Sequence, residues 1–312
     1  MDELISVVVP IYNTNADVLN ECLSCIKNQS YSSIEVLCVD SSTDNNTKNI
    51  IDKHLSDSRF KRIDGERGVS NQRNIGLKNS KGKYLLFVDS DDFFDCNFLL
   101  HLYNKIIETD SDIAIPLIYR NEFLNGKPVK EIPYEVHQIS EEVNEQNYFK
   151  YCRSGELVNP IKLYKRSLIE NARFRNESTY GEDLIFNFEL SKSGYKTVFV
   201  PDSIYHYRVN ILNNSASRRL DKKGLFIVKY LADIIRAKII KSEESIAGLY
   251  AEFDFVFNSF FYAFARQKKI SGLFWMTRYK FLYLKRHHSI HDILYLMFPI
   301  IIVTRRSKKK NK

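Results

Sequence analysis

Three aspartates stand close together directly after a buried run in the first third of the chain. The segment Tyr84–Val88 is wholly apolar or aromatic, and Asp89, Asp91 and Asp92 follow it. Two carboxylates at positions i and i+2 past a strand end supply the hard oxygen ligands that suit Mg²⁺ or Mn²⁺, above all where phosphate oxygens share the ion. A solvated acidic turn produces the same short pattern, so the metal interpretation depends on the surrounding residues.

Two other apolar runs end at side chains that could hold a nucleotide. Tyr12 follows the run Ile5–Pro10, and Asp40 follows the run Ile34–Val39. A carboxylate at Asp40 could accept a hydrogen bond from the ring N–H of a pyrimidine base, and the Tyr12 ring could stack on that base. From spacing alone, a turn or helix-capping role for Asp40 is the simpler interpretation.

The segment Arg67–Gly76 begins a predicted helix and is rich in hydrogen-bond donors. Arg67 and Arg73 could neutralise a diphosphate there, and the positive end of the helix dipole would add to their charge. Two exposed arginines on a surface helix would fit the same residues. Neither GxxxxGK(S/T) nor GxGxxG occurs in the chain, which argues against a P-loop or a dinucleotide site.

Two acids and a histidine later in the chain are further candidates. Glu182 and Asp183 begin a predicted helix, where the helix dipole favours acids in any protein. In a functional interpretation, one of them is a general base that takes a proton from a hydroxyl. His206 stands two residues before Arg208 and could ligate a metal or phosphate, although a lone histidine is more often structural.

Alternating strands and helices must position the candidate residues between Tyr12 and Asp92. Strands buried on both faces read as continuous apolar runs, and this alternation predicts a parallel, doubly wound sheet. In such sheets, ligands bind beyond the carboxyl ends of the strands, where the candidate residues should meet. The predicted strands are Ile5–Pro10, Ile34–Val39, Phe60–Ile63 and Tyr84–Val88, and the predicted helices are Asp17–Asn28, Asn46–His54 and Gly68–Asn79.

The pattern is less regular after Asp95. Residues 120–140 predict a strand or hairpin that turns at Asn125–Pro128. From Lys222 onward the chain is helical in pattern and rich in aromatic residues. The other predicted elements are helices at Asn97–Glu108, Glu142–Arg153 and Gly181–Lys192, and strands at Asp112–Tyr119 and Lys196–Pro201.

Composition bounds the class of protein. The 312 residues, 44% of them hydrophobic, are enough for one large domain or two smaller ones. The five cysteines are odd in number and are interpreted as reduced thiols. The N-terminal residues lack the basic region of a signal peptide. We therefore expect a cytoplasmic protein.

Basic residues concentrate in the last third of the chain. Residues 218–312 contain 21 Lys and Arg against 7 Asp and Glu, whereas residues 1–217 contain 25 against 31. The apolar stretch Ile293–Val303 is too short to cross a bilayer, which takes about 20 residues, and the basic segment Arg305–Lys312 follows it. This combination favours attachment to an anionic membrane surface. The alternative is a helical subdomain with an aromatic core and a solubilising tail.

Five motifs occur in a fixed order along the chain, and together they resemble the family 2 glycosyltransferases of GT-A fold. The closest resemblance is to bacterial enzymes of surface and capsular polysaccharide assembly, and it covers residues 4 to about 217. Many members carry Asp-Asp-Gly-Ser-Thr-Asp after the second strand, whereas Asp40–Asp44 is one residue shorter and lacks the glycine. The motifs are Ser6–Asn13, Val39–Asp44, Gly68–Gly76, Phe87–Asp92 and Gly181–Asp183.

The resemblance implies an inverting transferase that uses Mn²⁺ or Mg²⁺ and a nucleotide-diphosphate sugar, commonly a UDP-sugar. Asp183 would be the catalytic base, with Glu182 beside it. The metal would be held by Asp91, Asp89 and His206. The donor would be bound by Pro10, Tyr12, Asn13, Asp40, Arg67, Asn71, Arg73, Asp89, Ser90 and Arg208.

The same resemblance implies a domain organisation and partners. Residues 1–217 would form the GT-A domain, with a nucleotide-sugar half (1–100) and an acceptor half (101–217), and residues 218–312 a helical, basic region. The acceptor would be a glycan, expected to be polyprenyl-diphosphate-linked, at the inner face of the cell membrane. The aromatic C-terminal helices could support a homo-oligomer.

Two rival functions fit parts of the sequence. A nucleotidyltransferase also uses paired aspartates and a metal, but it usually has a Gly-rich loop with Lys or Arg after its first strand, and residues 11–15 have neither. A nucleic-acid-binding protein could use the basic C-terminal region. No known nucleic-acid motif occurs in the chain, and we expect no nucleic-acid partner.

Overall fold

A mixed sheet forms the centre of the fold in the computed structural model, which describes residues 2–134, 139–154, 157–178, 180–211 and 225–266. Within these residues the sheet has ten strands. The elements are β1 (Ile5–Ile11), α1 (Ala16–Lys27), β2 (Ile34–Asp40), α2 (Asn45–His54), β3 (Phe60–Asp64), α3 (Val69–Asn79), β4 (Tyr84–Phe87), β5 (Phe93–Phe94), α4 (Phe98–Thr109), β6 (Ile113–Leu124), β7 (Lys127–Pro133), β8 (Glu142–Val143), a 3-10 helix (Tyr148–Ser154), β9 (Leu163–Lys165), α5 (Arg166–Ile169), α6 (Glu182–Ser191), β10 (Tyr195–Asn210), α7 (Leu225–Ala237) and α8 (Glu243–Arg266).

The strand order is β3-β2-β1-β4-β9-β6-β10-β5, with β7 paired to β6 and β8 paired to β10. The first four strands are parallel to one another, and so are β6 and β10. The short β9 runs antiparallel between β4 and β6 and joins the two parallel groups. The predicted α/β class with a mostly parallel sheet is confirmed.

The register brings the carboxyl ends of the central strands to one edge of the sheet. Ile11 of β1 lies opposite Asp40 of β2, and Val8 lies opposite Phe87 of β4. The amide of Val88 donates to the carbonyl of Val8 at 3.0 Å, so the ladder continues to the residue before Asp89. The loops that follow these strands therefore meet at this edge.

Two hydrophobic clusters cover the two faces of the sheet. Successive side chains of a strand point to opposite faces, so Val7 packs into one cluster and Val8 into the other. Helices α1 and α4 cover the first face, and α3, α6, α7 and α8 supply the second. Burial on both faces explains why β1 and β2 consist of fully buried residues from end to end.

The predicted helix Glu142–Arg153 is wrong over its N-terminal half. Glu142 instead pairs with Lys196 at the edge of β10, and a 3-10 helix begins only at Tyr148. Between them, the amide of Gln146 donates to the Asn144 side chain at 2.9 Å. An asparagine side chain that accepts a local backbone hydrogen bond competes with helix formation.

Further differences concern the short strands and the length of β10. The sequence pattern misses β5 and β9, which have two and three residues. The predicted strand Lys196–Pro201 is the first part of a 16-residue strand, since β10 resumes its pairing with β6 at Ile204 after an irregularity beyond Val200. The hairpin predicted within 120–140 is confirmed as β6 and β7.

Helices are found in the described part of the C-terminal region, as predicted. The buried side chains of α7 and α8 belong to the same cluster as those of α6 and the 3-10 helix. Within residues 2–134, 139–154, 157–178, 180–211 and 225–266, no helix is long and apolar enough to span a bilayer. The predicted boundary at 217/218 and the segments Ile293–Val303 and Arg305–Lys312 lie outside the described residues, so these expectations stay predictions.

Candidate active site

Hydrogen bonds between side chains tie the loops after β1, β2 and β4 together. Asn13 has a left-handed backbone (φ 48°), a conformation that asparagine tolerates better than most residues. Its side-chain oxygen accepts from the amide of Thr43 at 2.9 Å. The hydroxyls of Thr14 and Ser90 lie 2.7 Å apart. Of the predicted donor-binding residues, Asn13 and Ser90 thus have structural contacts that shape the rim.

Asp40 lies buried at the end of β2 with two partners. Its carboxylate accepts from the amide of Ser42 at 2.8 Å and pairs with Arg62 at 3.0 Å. The Gln72 side-chain amide donates to the carbonyls of Ile11 and Val39, at 2.6 and 3.0 Å, and so holds the ends of β1 and β2 together. Arg62 belongs to none of the five motifs, and Gln72 lies within Gly68–Gly76 without a predicted role.

Tyr12 and Arg67 lie together beyond the carboxyl end of β1. The Tyr12 side chain is 38% exposed, and the Arg67 guanidinium lies 5.0 Å from the centre of its ring. Asn71 donates to the carbonyl of Arg67 at 3.1 Å, and Pro10 is buried within β1. An accessible ring with a neighbouring cation offers a stacking surface for a base.

Arg73 is buried among carboxylates. One terminal nitrogen lies 2.5 Å from Asp183 Oδ1 and 3.4 Å from Glu182 Oε1, and the other lies 2.9 Å from Asp89 Oδ1. Its guanidinium also lies 5.3 Å from the ring centre of Phe174. The resemblance predicts that Arg73 binds the donor, whereas the structure pairs it with the predicted catalytic acids.

The environment of Asp183 raises its proton affinity. Burial raises the pKa of this carboxyl most strongly, the charge of Arg73 lowers it, and the charges of Glu182 and Asp89 raise it again, to about 8. Burial lowers the pKa of the Arg73 guanidinium, but the three carboxylates outweigh that effect and raise it overall. Arg73 therefore stays charged while Asp183 can take up a proton near neutral pH.

Asp92 fixes the acidic loop from inside the protein. The carboxylate is buried and accepts from the Tyr205 hydroxyl and from the amide of Arg208, each at 2.7 Å. The Tyr205 hydroxyl in turn accepts from the amide of Asp89 at 3.3 Å. The sequence analysis gave Asp92 and Tyr205 no role. Their contacts hold the loop in a shape that leaves the neighbouring Asp91 exposed.

Asp91 lies in the loop after β4 and is exposed. Partial desolvation by the neighbouring protein raises the pKa of its carboxyl, and the charge of Asp89 adds to the effect, to about 6. Within the described part of the chain, no group of three or more His, Cys, Asp and Glu residues is arranged to hold a metal. The structure therefore does not gather Asp89, Asp91 and His206 into one ready-made site.

His206 and Arg208 have other partners. The His206 ring stacks on Phe93, with the ring centres 4.6 Å apart, and its Nδ1 lies 3.1 Å from Asn121 Oδ1. Arg208 pairs with Glu21 at 2.5 Å and donates to the carbonyl of Asp91 at 2.8 Å. Arg208 thus holds the acidic loop through the carbonyl of Asp91. The side chains of His206 and Tyr205 point to opposite faces of β10.

Comparison with known proteins shows the family to which the chain belongs. Residues 6–172, more than half of the 312-residue chain, match the model of "Glycosyl transferase family 2". The chain is a family 2 glycosyltransferase. The glycosyltransferase GlyG of Streptococcus pneumoniae is 33% identical to it over 218 residues, which cover 67% of this chain and 71% of that protein.

Two further proteins are similar to this glycosyltransferase over more of its length. The GalNAc(5)-diNAcBac-PP-undecaprenol beta-1,3-glucosyltransferase of Campylobacter jejuni is 25% identical over 243 residues, or 77% of this chain and 74% of that protein. The structure of S. aureus TarS 1-349 in complex with UDP-GlcNAc superposes with a TM-score of 0.62 at 22% identity, over 88% of this chain and 81% of that one. The structural likeness confirms the predicted GT-A fold.

Glu182 and Asp183 lie in the first turn of α6. Gly181 precedes the helix with a left-handed φ of 76°, and the acids in the first turn interact favourably with the helix dipole. The buried Asn187 donates to the carbonyl of Asp183 at 2.9 Å and accepts from the Tyr164 hydroxyl at 3.0 Å. The sequence analysis missed Asn187 and Tyr164, because neither belongs to the five motifs.

Proposed function

We propose that the enzyme is an inverting, metal-dependent hexosyltransferase that moves a sugar from a UDP-sugar to a hydroxyl of a lipid-linked glycan. The observation that carries this proposal is the buried ion-pair network of Arg73. It joins Asp183, the proposed base, to Asp89 at the end of β4, so that one guanidinium spans the acceptor and donor sides.

In the proposed reaction, Asp183 takes the proton from an acceptor hydroxyl as the oxygen attacks the anomeric carbon. The bond from that carbon to the diphosphate oxygen breaks on the opposite face, the electron pair leaves with the diphosphate, and the configuration inverts. A carboxyl whose pKa is raised to about 8 is a stronger base than an ordinary aspartate. The contact with Arg73 orients this carboxyl, and Asn187 donates to the backbone carbonyl of the same residue.

A divalent cation would be held by Asp91 together with Asp89. Carboxylate oxygens suit Mg²⁺ or Mn²⁺, and Asp91 is exposed, so its carboxylate would be accessible to such an ion. When bound, the ion supplies positive charge to the departing diphosphate. We leave His206 out of this ligand set, since the described residues do not gather it with Asp89 and Asp91 into one group.

A UDP-sugar is the proposed donor. Tyr12 and Arg67 would stack on the base, and Asp40 would accept from its ring N–H, with Arg62 and Gln72 holding the carboxylate and the strand ends in place. The TarS structure of similar fold is a complex with UDP-GlcNAc, which supports the class of donor.

The proposed acceptor is a polyprenyl-diphosphate-linked glycan of cell-surface polysaccharide synthesis, at the inner face of the membrane. The name of the Campylobacter relative places that enzyme on an undecaprenol-linked glycan. The basic segment Arg305–Lys312 of this chain, after an apolar stretch, fits a location at an anionic surface.

The test is a donor panel. The purified enzyme is incubated with UDP-, GDP- and dTDP-sugars, with Mn²⁺, with Mg²⁺ or with a chelator, and transfer to extracted polyprenyl-linked glycans is followed by mass spectrometry. The proposal expects transfer from a UDP-sugar that stops when the chelator is added. Transfer that continues undiminished in chelator would contradict the metal dependence.

A further inference from the structure

A close contact joins the C-terminal helix α7 to the loop that carries the proposed base. At Gly181, an added Cβ would lie 2.8 Å from Cγ1 of Ile227 and 3.3 Å from both its Cβ and its Cδ1. Only a residue without a side chain fits there, and the φ of 76° favours glycine independently. Ile227 is itself fully buried, so it cannot swing away into solvent.

The remainder of α7 reinforces this contact. The rings of Tyr230 and Phe188 meet edge to face with their centres 6.3 Å apart, and the Tyr230 hydroxyl donates to the carboxylate of Glu189 on α6. Ile227 also belongs to the same hydrophobic cluster as Leu184. Two residues of α7 thus contact the α6 segment, Ile227 at the residue that precedes the helix and Tyr230 in the C-terminal half of α6.

The geometry of the first turn of α6 connects this packing to Asp183. The amide of Ile185 donates to the carbonyl of Gly181 at 3.1 Å, so Gly181 is fixed to the turn that contains Asp183. A shift of Gly181 would move the Asp183 carboxylate relative to Arg73, from which it is separated by 2.5 Å. The family match ends at residue 172, well before α7 begins at Leu225.

We propose that Ile227 is a positioning residue for sugar transfer. By packing on Gly181, it keeps the first turn of α6 in the place where Asp183 meets both Arg73 and the acceptor hydroxyl. The inference rests on the proposed role of Asp183 as the base. It assigns a function in the reaction to the C-terminal helices, which lie outside the family match.

The test compares Ile227→Ala with Ile234→Ala. Both residues are buried isoleucines of α7, at 0% and 4% exposure, so the two changes remove the same atoms from the same helix and should lower the melting temperature to a similar extent. The donor-binding residues belong to other loops. We expect Ile227→Ala to lower kcat by about tenfold or more, while KM for the UDP-sugar changes by less than about twofold. Ile234→Ala should keep kcat within about twofold.

Two outcomes would overturn the inference: equal losses of kcat in the two variants, or an unchanged kcat in Ile227→Ala. If Ile227→Ala does not fold, Ile227→Val and Ile234→Val decide in the same way, with a loss of about two- to threefold expected only in the first. Asp183→Asn is measured in parallel. Full turnover by that variant would refute the base itself, whereas an inactive Asp183→Asn with an unaffected Ile227→Ala refutes only the positioning role.

Discussion

Arg73 contacts Asp183 at 2.5 Å and Asp89 at 2.9 Å, through its two terminal nitrogens. The two carboxylates are far apart in sequence and come from α6 and from the end of β4. Since the guanidinium is buried and planar, it fixes the direction of both carboxylates at once. In the proposed reaction these carboxylates serve the acceptor and the donor, so Arg73 sets the geometry between the two substrates.

The first prediction concerns the stability of this network. Arg73→Gln leaves Asp183, Glu182 and Asp89 close together without their cation, and removal of one partner from a buried pair costs about 3–5 kcal/mol. We expect a loss of that size in the free energy of unfolding, measured in urea. The control is Arg59→Gln, which removes a partly exposed partner of Asp57 and should cost less than about 1 kcal/mol. Equal losses in the two variants would contradict the central role of Arg73.

The second prediction separates the functions of Asp91 and Asp92. Asp91 is exposed, and its raised pKa indicates that the charged carboxylate does not stabilise the fold, so Asp91→Asn should not lower the free energy of unfolding. Because it would remove a proposed metal ligand, it should weaken Mn²⁺ binding and lower transfer by about 100-fold or more. Isothermal titration calorimetry with Mn²⁺ and UDP, alongside the transfer assay, measures both.

Asp92→Ala is the matched variant. It leaves the hydroxyl of Tyr205 and the amide of Arg208 without their acceptor, and each such buried group costs about 1–3 kcal/mol. We therefore expect Asp92→Ala to lower the free energy of unfolding by at least about 1–3 kcal/mol. An Asp91→Asn variant that unfolds as easily as Asp92→Ala would show that Asp91, too, is structural.

The third prediction concerns pH. The pKa of Asp183 is raised to about 8, and only the deprotonated carboxylate can accept the hydroxyl proton. Below that pH the base is increasingly protonated, so the transfer rate at saturating substrates should rise about tenfold per pH unit and level off above it. A rate measured between pH 6 and 9 that stays flat, or falls as the pH rises, would contradict Asp183 as the base.

Much of the sheet and its rim could be predicted from the sequence. The runs Ile5–Pro10, Ile34–Val39 and Tyr84–Val88 are mostly apolar because both faces of these strands are buried. The carboxyl ends of parallel strands lie at the same edge of a sheet, so the sequence predicts that Tyr12 and Asp40 lie at one edge. The pairing of Ile11 with Asp40 agrees with this.

The partners of Arg73 could not be predicted in the same way. Asp183 follows it by 110 residues, and the two meet only because α3 and α6 lie on the same face of the sheet. Local pattern likewise predicted a helix from Glu142, where pairing with the edge of β10 prevails. The three-residue β9 is too short to show any periodicity, and yet it joins the two parallel groups of strands.

The most direct test of the proposed function is the Asp183→Asn variant. This substitution keeps the size of the side chain and removes its capacity to accept a proton. We predict that the variant binds UDP and Mn²⁺ with the affinity of the unaltered enzyme, and that its sugar transfer falls by about three to four orders of magnitude. Turnover close to that of the unaltered enzyme, with donor binding intact, would contradict the assignment of Asp183 as the catalytic base.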